Sequence, residues 1–483
     1  MARLIFWFSL SVYCLCSSGH LGSYDAWREY CVAKSFVESG TFELPREMFS
    51  VQDGALGRDG RLYCWHSPGM SALILPLYCA SKVIVRMVSK EDVDSLGKFL
   101  VSFLNIFFTA GINALLYKTL RQMDLSLRWS LIFSLTGGFA TLLFPYSKVA
   151  FDVLPAGFFL LAAVYFLEEY KKDVRVVHLL YSQLFLAAAI FVRIPIILLI
   201  PAFFLYSGIL LQRQRWTALP VFFSPLIFVG MVIGAYNHLR FGSIFEDGRY
   251  NDDGSQFSGD WVEGILGLLI SPGKGLLVYS PILVFAMLGT FLVFRHKKGK
   301  GFFWAYIILS QLILHAGIRD WHGAWCWGSR FLVYLIPFFI FFAAQTVQLL
   351  NQYRYKILFI ALTGASLFIQ GLGVSYDGGT RIGNRLQYEK ISYRRIIFDP
   401  AGSPIIDHFK QITKIVSGQA SAEEPQKPYY KIQDDHFDFL FVYATTLGVP
   451  VFFSFLWVFS LSGWVGWLAF IILKYVKDPP SIA

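Results

Sequence analysis

The chain has 483 residues, of which 55% are hydrophobic, 18% aromatic and only 15% charged; a soluble globular protein carries about 25% charged residues, so an ordinary water-soluble fold is excluded. Apolar runs of roughly 17 to 25 residues recur along it, each long enough to cross a hydrocarbon core of about 30 Å as a helix, and their continuity, without strand alternation, excludes an outer-membrane barrel. The net charge of +10 sits mostly in short clusters between apolar runs, where it reports topology and not a nucleic-acid partner.

The expected architecture is an all-α polytopic membrane protein of about 11–13 transmembrane helices, with external juxtamembrane helices and loops. The first apolar run, residues 4–16, follows Arg3 and is short, so it reads either as a cleaved signal peptide or as a first span; we take it as an uncleaved span with the amino terminus inside. Residues 20–97 then form a first external loop, within which residues 70–88 make a juxtamembrane helix pair and not a crossing. The reason is parity. A second span at 98–117 places Lys118, Arg121 and Arg128 inside, and the clusters at 171–172, 213–215, 295–300 and 354–356 follow them; counting 70–88 as a crossing would turn all of these outward, against the positive-inside bias.

The other outward segments are 146–153, a turn near Arg193, a second external loop at 237–275, 317–330, and a cap at 374–439. The cap is rich in Arg and Lys, but long loops translocate largely regardless of charge. After residue 440 the sequence fits one span with an interfacial helix or two spans. No internal repeat is visible, the one linker-like stretch is 417–428, and residues 1–483 read as a single membrane domain. The six cysteines contain no CxxC pair, which leaves a Cys31–Cys64 bridge open to them.

No GxGxxG or GxxxxGK[ST] motif is present, and no external segment is long enough for a doubly wound nucleotide-binding sheet. An activated donor would therefore have to come from the lipid phase. Asp25 and Glu29, four residues apart just after the first span, share one face if that stretch is helical. A carboxylate there suits proton acceptance from a hydroxyl, with Arg28 or a divalent cation keeping it ionised; equally, Asp25 caps a helix and Glu29 pairs with Arg28. Lys274, between glycines at a span entrance, suits phosphate, or snorkels. Arg193 interrupts an apolar hairpin before Pro195, a depth at which charge is functional or paired, here with Asp152. Lys148 and Asp152, also four apart, would neutralise each other. Trp321 and His322 lie in an aromatic run, 319–327, that reads as a sugar platform or an interfacial belt. Glu246, Asp247, Asp252, Asp253 and Asp260 read as a solvated acidic loop without EF-hand spacing.

The run Asp59-Gly60-Arg61-Leu62-Tyr63-Cys64-Trp65-His66-Ser67-Pro68-Gly69-Met70, with Tyr24-Asp25 and Ser39-Gly40-Thr41, resembles the first external loop of the GT-C glycosyltransferase superfamily, which includes protein O-mannosyltransferases and the aminoarabinose transferases of lipid A. Further matches follow in order: Phe144-Pro145-Tyr146-Ser147-Lys148 with Asp152-Val153-Leu154-Pro155, Arg193-Ile194-Pro195, Arg240-Phe241-Gly242-Ser243, Ser271 to Leu276, and Trp325-Cys326-Trp327-Gly328-Ser329-Arg330-Phe331. The likeness covers most of the chain and weakens after about Phe339.

The resemblance implies inverting transfer of a sugar from a polyprenyl-phosphate donor to a lipid, glycan or protein acceptor on the extracytoplasmic side, in a bacterial inner membrane. It puts Asp25 in the place of the family's catalytic aspartate, with Lys274, Arg330 and Arg193 toward the donor phosphate and Tyr63, His66, Trp321, His322, Lys148 and Asp152 toward sugar or acceptor. Ala26 stands where many members carry a second acid, leaving Glu29 or a carboxylate of the later loop as helper and any metal undetermined. A transporter or flippase of lipid-linked saccharides is the competing class; its pointer, an inverted repeat with broken helices, is not visible. Acyl or phosphoethanolamine transfer would rest on His315, which stands alone.

Overall fold

The computed structural model describes residues 1–88, 92–212, 215–249, 257–296, 298–387, 389–419, 436–446 and 449–477. The chain opens with α1 (Ala2–Leu15), α2 (Tyr24–Ser39), α3 (Pro68–Val88), α4 (Val93–Ser102), α5 (Leu104–Gln122) and α6 (Leu127–Phe139). Ile5, near the start of α1, packs with Tyr117 and Leu131, whereas Tyr13, near its end, packs with Ile106 and Ala110 and donates a 2.9 Å hydrogen bond to the Gly138 carbonyl. So α5 runs antiparallel to α1 and α6 parallel to it. Polar residues inside this contact satisfy one another, as an apolar solvent requires: Asn113 donates to Ser9 Oγ at 3.0 Å and to Tyr13 Oη at 2.8 Å.

The stretch expected to be a juxtamembrane helix pair is one 21-residue helix, α3, whose pairing partner is α4. By length and hydropathy α3 is able to cross a membrane, yet both ends of the hairpin lie at the same end of the bundle. Ser67, at its start, donates to the Val192 carbonyl at 2.6 Å, and Asn105, just past its close, donates to the Phe151 carbonyl at 2.8 Å. The hairpin therefore returns the chain to the level it left and adds no net crossing. Within the first loop a two-stranded ribbon, β1 (Ala55–Leu56) and β2 (Leu62–Tyr63), pairs Ala55 with Tyr63 across a Gly60 turn at positive φ.

The chain continues through α7 (Leu143–Tyr146), α8 (Val153–Asp173), α9 (Val176–Val192), α10 (Ile200–Ser207), α11 (Arg215–Phe241), α12 (Trp261–Ile270), α13 (Leu276–Tyr279), α14 (Val284–His296), α15 (Lys298–Ala316), α16 (Ile336–Ala344) and α17 (Tyr353–Ser375). A cap of α18 (Gly378–Gln387), α19 (Tyr393–Phe398) and α20 (Pro404–Val416) precedes α21 (Leu440–Thr446) and α22 (Val451–Lys477). Eight helical stretches among the described residues are long and apolar enough to span a membrane, and shorter apolar helices supplement them; the protein is an all-α polytopic membrane protein. The open choice after residue 440 resolves as one long helix, α22, behind a short one.

Many large apolar side chains are exposed along α11 and α22, among them Phe228, Met231, Phe452, Phe455 and Phe459. In water such faces would drive association; in lipid they are the outer wall. Helices end in basic residues at the end away from the α3–α4 hairpin: Arg121 on α5, Lys171 and Lys172 on α8, Arg295 on α14, Lys474 and Lys477 on α22. Cys31 and Cys64 are buried but both free, which corrects the bridge left open above.

Candidate functional site

At the hairpin end of the bundle lies a cavity of about 1040 Å³ whose wall includes Asp25, Glu29, Trp65, His66, Asp152, Arg193, Arg249, His315, Arg319, Arg330 and Phe331. Its floor is set by α2. Ser23 caps that helix by accepting the Ala26 N–H at 3.1 Å, which fixes Asp25 in the first turn and aims Asp25 and Glu29, one turn apart, at the same space. The opposite face, Trp27, Tyr30 and Cys31, is buried with Leu44, Met70 and Tyr78.

Both oxygens of Asp25 are held. Arg330 Nη1 donates to Oδ2 at 2.7 Å, and Arg28 Nη2 donates to Oδ1. Arg28 is itself fixed: its Nη1 donates to the Asp53 carbonyl at 2.8 Å, and its guanidinium lies over Trp65, 4.7 Å from the ring centroid, and Tyr24, at 5.2 Å. Arg330 lies over Phe151 and Phe331, at 4.8 and 5.0 Å. Burial alone would raise the Asp25 carboxyl, but Arg330 and Arg28 overrule it and hold it well below the usual carboxylate range.

Glu29 takes the opposite course: burial, then the charges of Asp152 and Asp25, push it well above the usual range. Its Oε1 lies 3.2 Å from His66 Nδ1, and burial pushes that imidazole down to about 3. A second carboxylate–arginine pair faces them. Arg193 Nη1 donates to Asp152 Oδ2 at 2.8 Å, and its Nη2 donates to His315 Nε2 at 2.9 Å, while His315 Nδ1 donates to the Gln311 carbonyl at 2.7 Å. Arg193 is placed by a break: α9 ends at Val192, and Arg193 is extended, at φ −143° and ψ 96°, ahead of a 3-10 turn that carries Pro195 near its start.

The structure thus brings together Asp25, Glu29, His66, Asp152, Arg193 and Arg330 out of the residues singled out from sequence. Other such residues do not line the cavity. Lys274 is buried, its ammonium donating at 2.7 Å to the carbonyls of both Ala324 and Cys326, so it ties down the loop before Arg330. Tyr63 donates to Asp59 at 2.8 Å. Trp321 is buried against Gly267 and Phe398, and His322 packs on Tyr393, ring centroids 4.4 Å apart. Lys148 pairs not with Asp152 but with Asp438, at 2.7 Å, which also accepts His20 at 2.7 Å. Arg28 meets Asp25 and not Glu29.

Sequence reasoning missed Arg249, Arg319, Asp438 and His20. Arg249, Arg319 and Asp438 carried a signal, as charges inside segments already read as external. Of the acidic loop, Asp252 and Asp253 lie outside the described residues, and Asp260 caps α12. Among the described residues no group of three or more His, Cys, Asp and Glu has the arrangement a metal ion needs, and arginines pair with Asp25 and Asp152.

No protein-family model matches the chain, and no curated protein is significantly similar to it.

Proposed function

We propose that the chain is an inverting glycosyltransferase that takes a sugar from a polyprenyl-phosphate donor and passes it to a lipid, glycan or protein acceptor at the extracytoplasmic face of a bacterial inner membrane. The observation that carries this reading is the joint presence, in one cavity at one end of an apolar bundle, of a carboxylate in the first turn after α1 and of arginines able to hold a phosphate. The basic helix ends at the opposite pole support the extracytoplasmic face, because such ends usually lie on the cytoplasmic side.

In the reaction the acceptor oxygen attacks the anomeric carbon, the carbon–oxygen bond to the lipid phosphate breaks, and the phosphate leaves with the electron pair. A carboxylate accepts the acceptor's proton, and guanidinium groups stabilise the charge arriving on the leaving phosphate. Asp25 is the base in this scheme, Arg330 and Arg193 the cationic side, and Glu29, whose carboxyl burial pushes well above the usual range, stands beside them.

The test is transfer of label from a panel of radiolabelled polyprenyl-phosphate sugars to membrane lipid and protein, comparing wild type with Asp25→Asn in matched membranes. Labelling by wild type that drops at least about a hundredfold in the variant, the range for loss of a general base, supports the reading. Equal labelling removes Asp25 from the chemistry, and no labelling by wild type with any donor refutes the transferase reading.

A further inference from the structure

Three arginines touch carboxylates of the cavity, and they are not equally fixed. Arg28 has a second anchor on the Asp53 carbonyl, and Arg193 has one on His315. Arg330 makes its side-chain hydrogen bond, among the described residues, to Asp25 Oδ2, and its guanidinium also lies over the rings of Phe151 and Phe331 and against Gly323. With Arg28 on Oδ1 and Arg330 on Oδ2, each oxygen of Asp25 is already engaged by a guanidinium. The group that would accept the proton is therefore tied to the group that would hold the phosphate.

We infer that Arg330 is an anion-exchanged gate on Asp25: an entering phosphate monoester or diester draws the Arg330 N–H donors off Asp25 Oδ2, and only then does that oxygen face the acceptor. This rests on the transferase reading and adds an order to it, donor before acceptor. In the exchange one oxyanion replaces another on the same guanidinium, and such forks bind phosphate and carboxylate alike. Phe151 and Phe331, whose ring centroids lie 4.8 and 5.0 Å from the guanidinium, give it cation–π contact that does not depend on Asp25. A site so arranged makes Asp25 available for proton transfer only once a phosphate is present.

The gate makes a prediction opposite in sign to that for an ordinary contact residue. Phosphate must displace a carboxylate to reach Arg330, so removing the carboxylate's charge tightens phosphate binding while it stops transfer. The experiment measures undecaprenyl phosphate binding to the purified full chain in nanodiscs, for wild type, Asp25→Asn and Asp152→Asn, with Asp25→Ser carrying the test if the amide variant fails to fold. The expected result is about 5- to 100-fold tighter binding for the Asp25 variant, the range of coupled binding events, and a clearly smaller gain for Asp152→Asn, whose arginine stays anchored on His315. Unchanged or weaker binding by the Asp25 variant overturns the gate while leaving the transferase reading standing. Equal gains in both variants reduce the effect to net charge and also overturn it. No binding by any of the proteins refutes the transferase reading together with the gate.

Discussion

Asp438 takes Lys148 Nζ on one oxygen and His20 Nε2 on the other, at 2.7 Å each, in a setting where all three side chains are buried. Removing the acid leaves an ammonium enclosed without a counter-ion, so Asp438→Ala should cost about 3–5 kcal/mol, read as a fall in unfolding temperature in detergent. The same reasoning gives a smaller loss for Asp25→Asn, whose amide oxygen still accepts from one arginine. His408 supplies a pH test: it is buried on Trp327, ring centroids 4.4 Å apart, and burial pushes it down to about 4. A histidine kept neutral in the fold but free to protonate when unfolded contributes stability that is complete above its unfolded value of about 6.5 and is lost as pH falls toward 4. Wild type should therefore lose about 2 kcal/mol more than His408→Gln between pH 6.5 and 5, measured as denaturant midpoints at the two pH values. The Asp25–Glu29 pair was legible because helical spacing alone puts the two on one face. Asp438 with Lys148 was not, since 290 residues separate them and only packing makes them neighbours.

Elements are held by a few close backbone approaches. A Cβ at Gly69 would stand 2.4 Å from the Phe191 carbonyl oxygen and 2.5 Å from Val192 Cα, so the first turn of α3 sits directly on the end of α9, beside Arg193. Gly69→Ala should cost about 1–3 kcal/mol through overpacking and should reduce transfer by displacing His66, whereas Gly364→Ala, which meets open space on α17, should be neutral or slightly stabilising. Unfolding curves and transfer rates for the two variants check this. Hydropathy made most of the helices visible, and the basic clusters gave the parity that kept α3 from being counted as a crossing. What pattern could not supply was the α3–α4 pairing, or the chain break at 271–283 between α12 and α14, because both depend on which faces meet and not on how apolar they are.

For the whole molecule, the division into a cavity end and a basic end is a statement about orientation. A membrane-impermeant maleimide applied to intact cells should label Glu47→Cys, exposed in the first external loop, and should label Lys172→Cys, at the exposed end of α8, only after permeabilisation. The wild type, whose cysteines are buried or half-buried, serves as the blank. Reversed labelling would put the cavity on the cytoplasmic side and remove the extracytoplasmic reading. The fold class was legible in composition alone, because an apolar solvent permits few architectures. The site was legible only in part, since the cavity draws its wall from eight separate stretches of chain, each unremarkable by itself.

The pairing of α1 with α22, and of Lys148 with Asp438, also sets a schedule for synthesis. Asp438 leaves the ribosome 290 residues after Lys148, roughly 15–60 s later at 5–20 residues per second. Throughout that interval Lys148 lacks its final partner and has only Asp152 close by in sequence, so the loop around it stays in contact with water while lipid covers the α1 flank. A nascent chain stalled before Asp438 lacks both this ion pair and the α1–α22 contact, and so exposes to quality control what the finished fold buries.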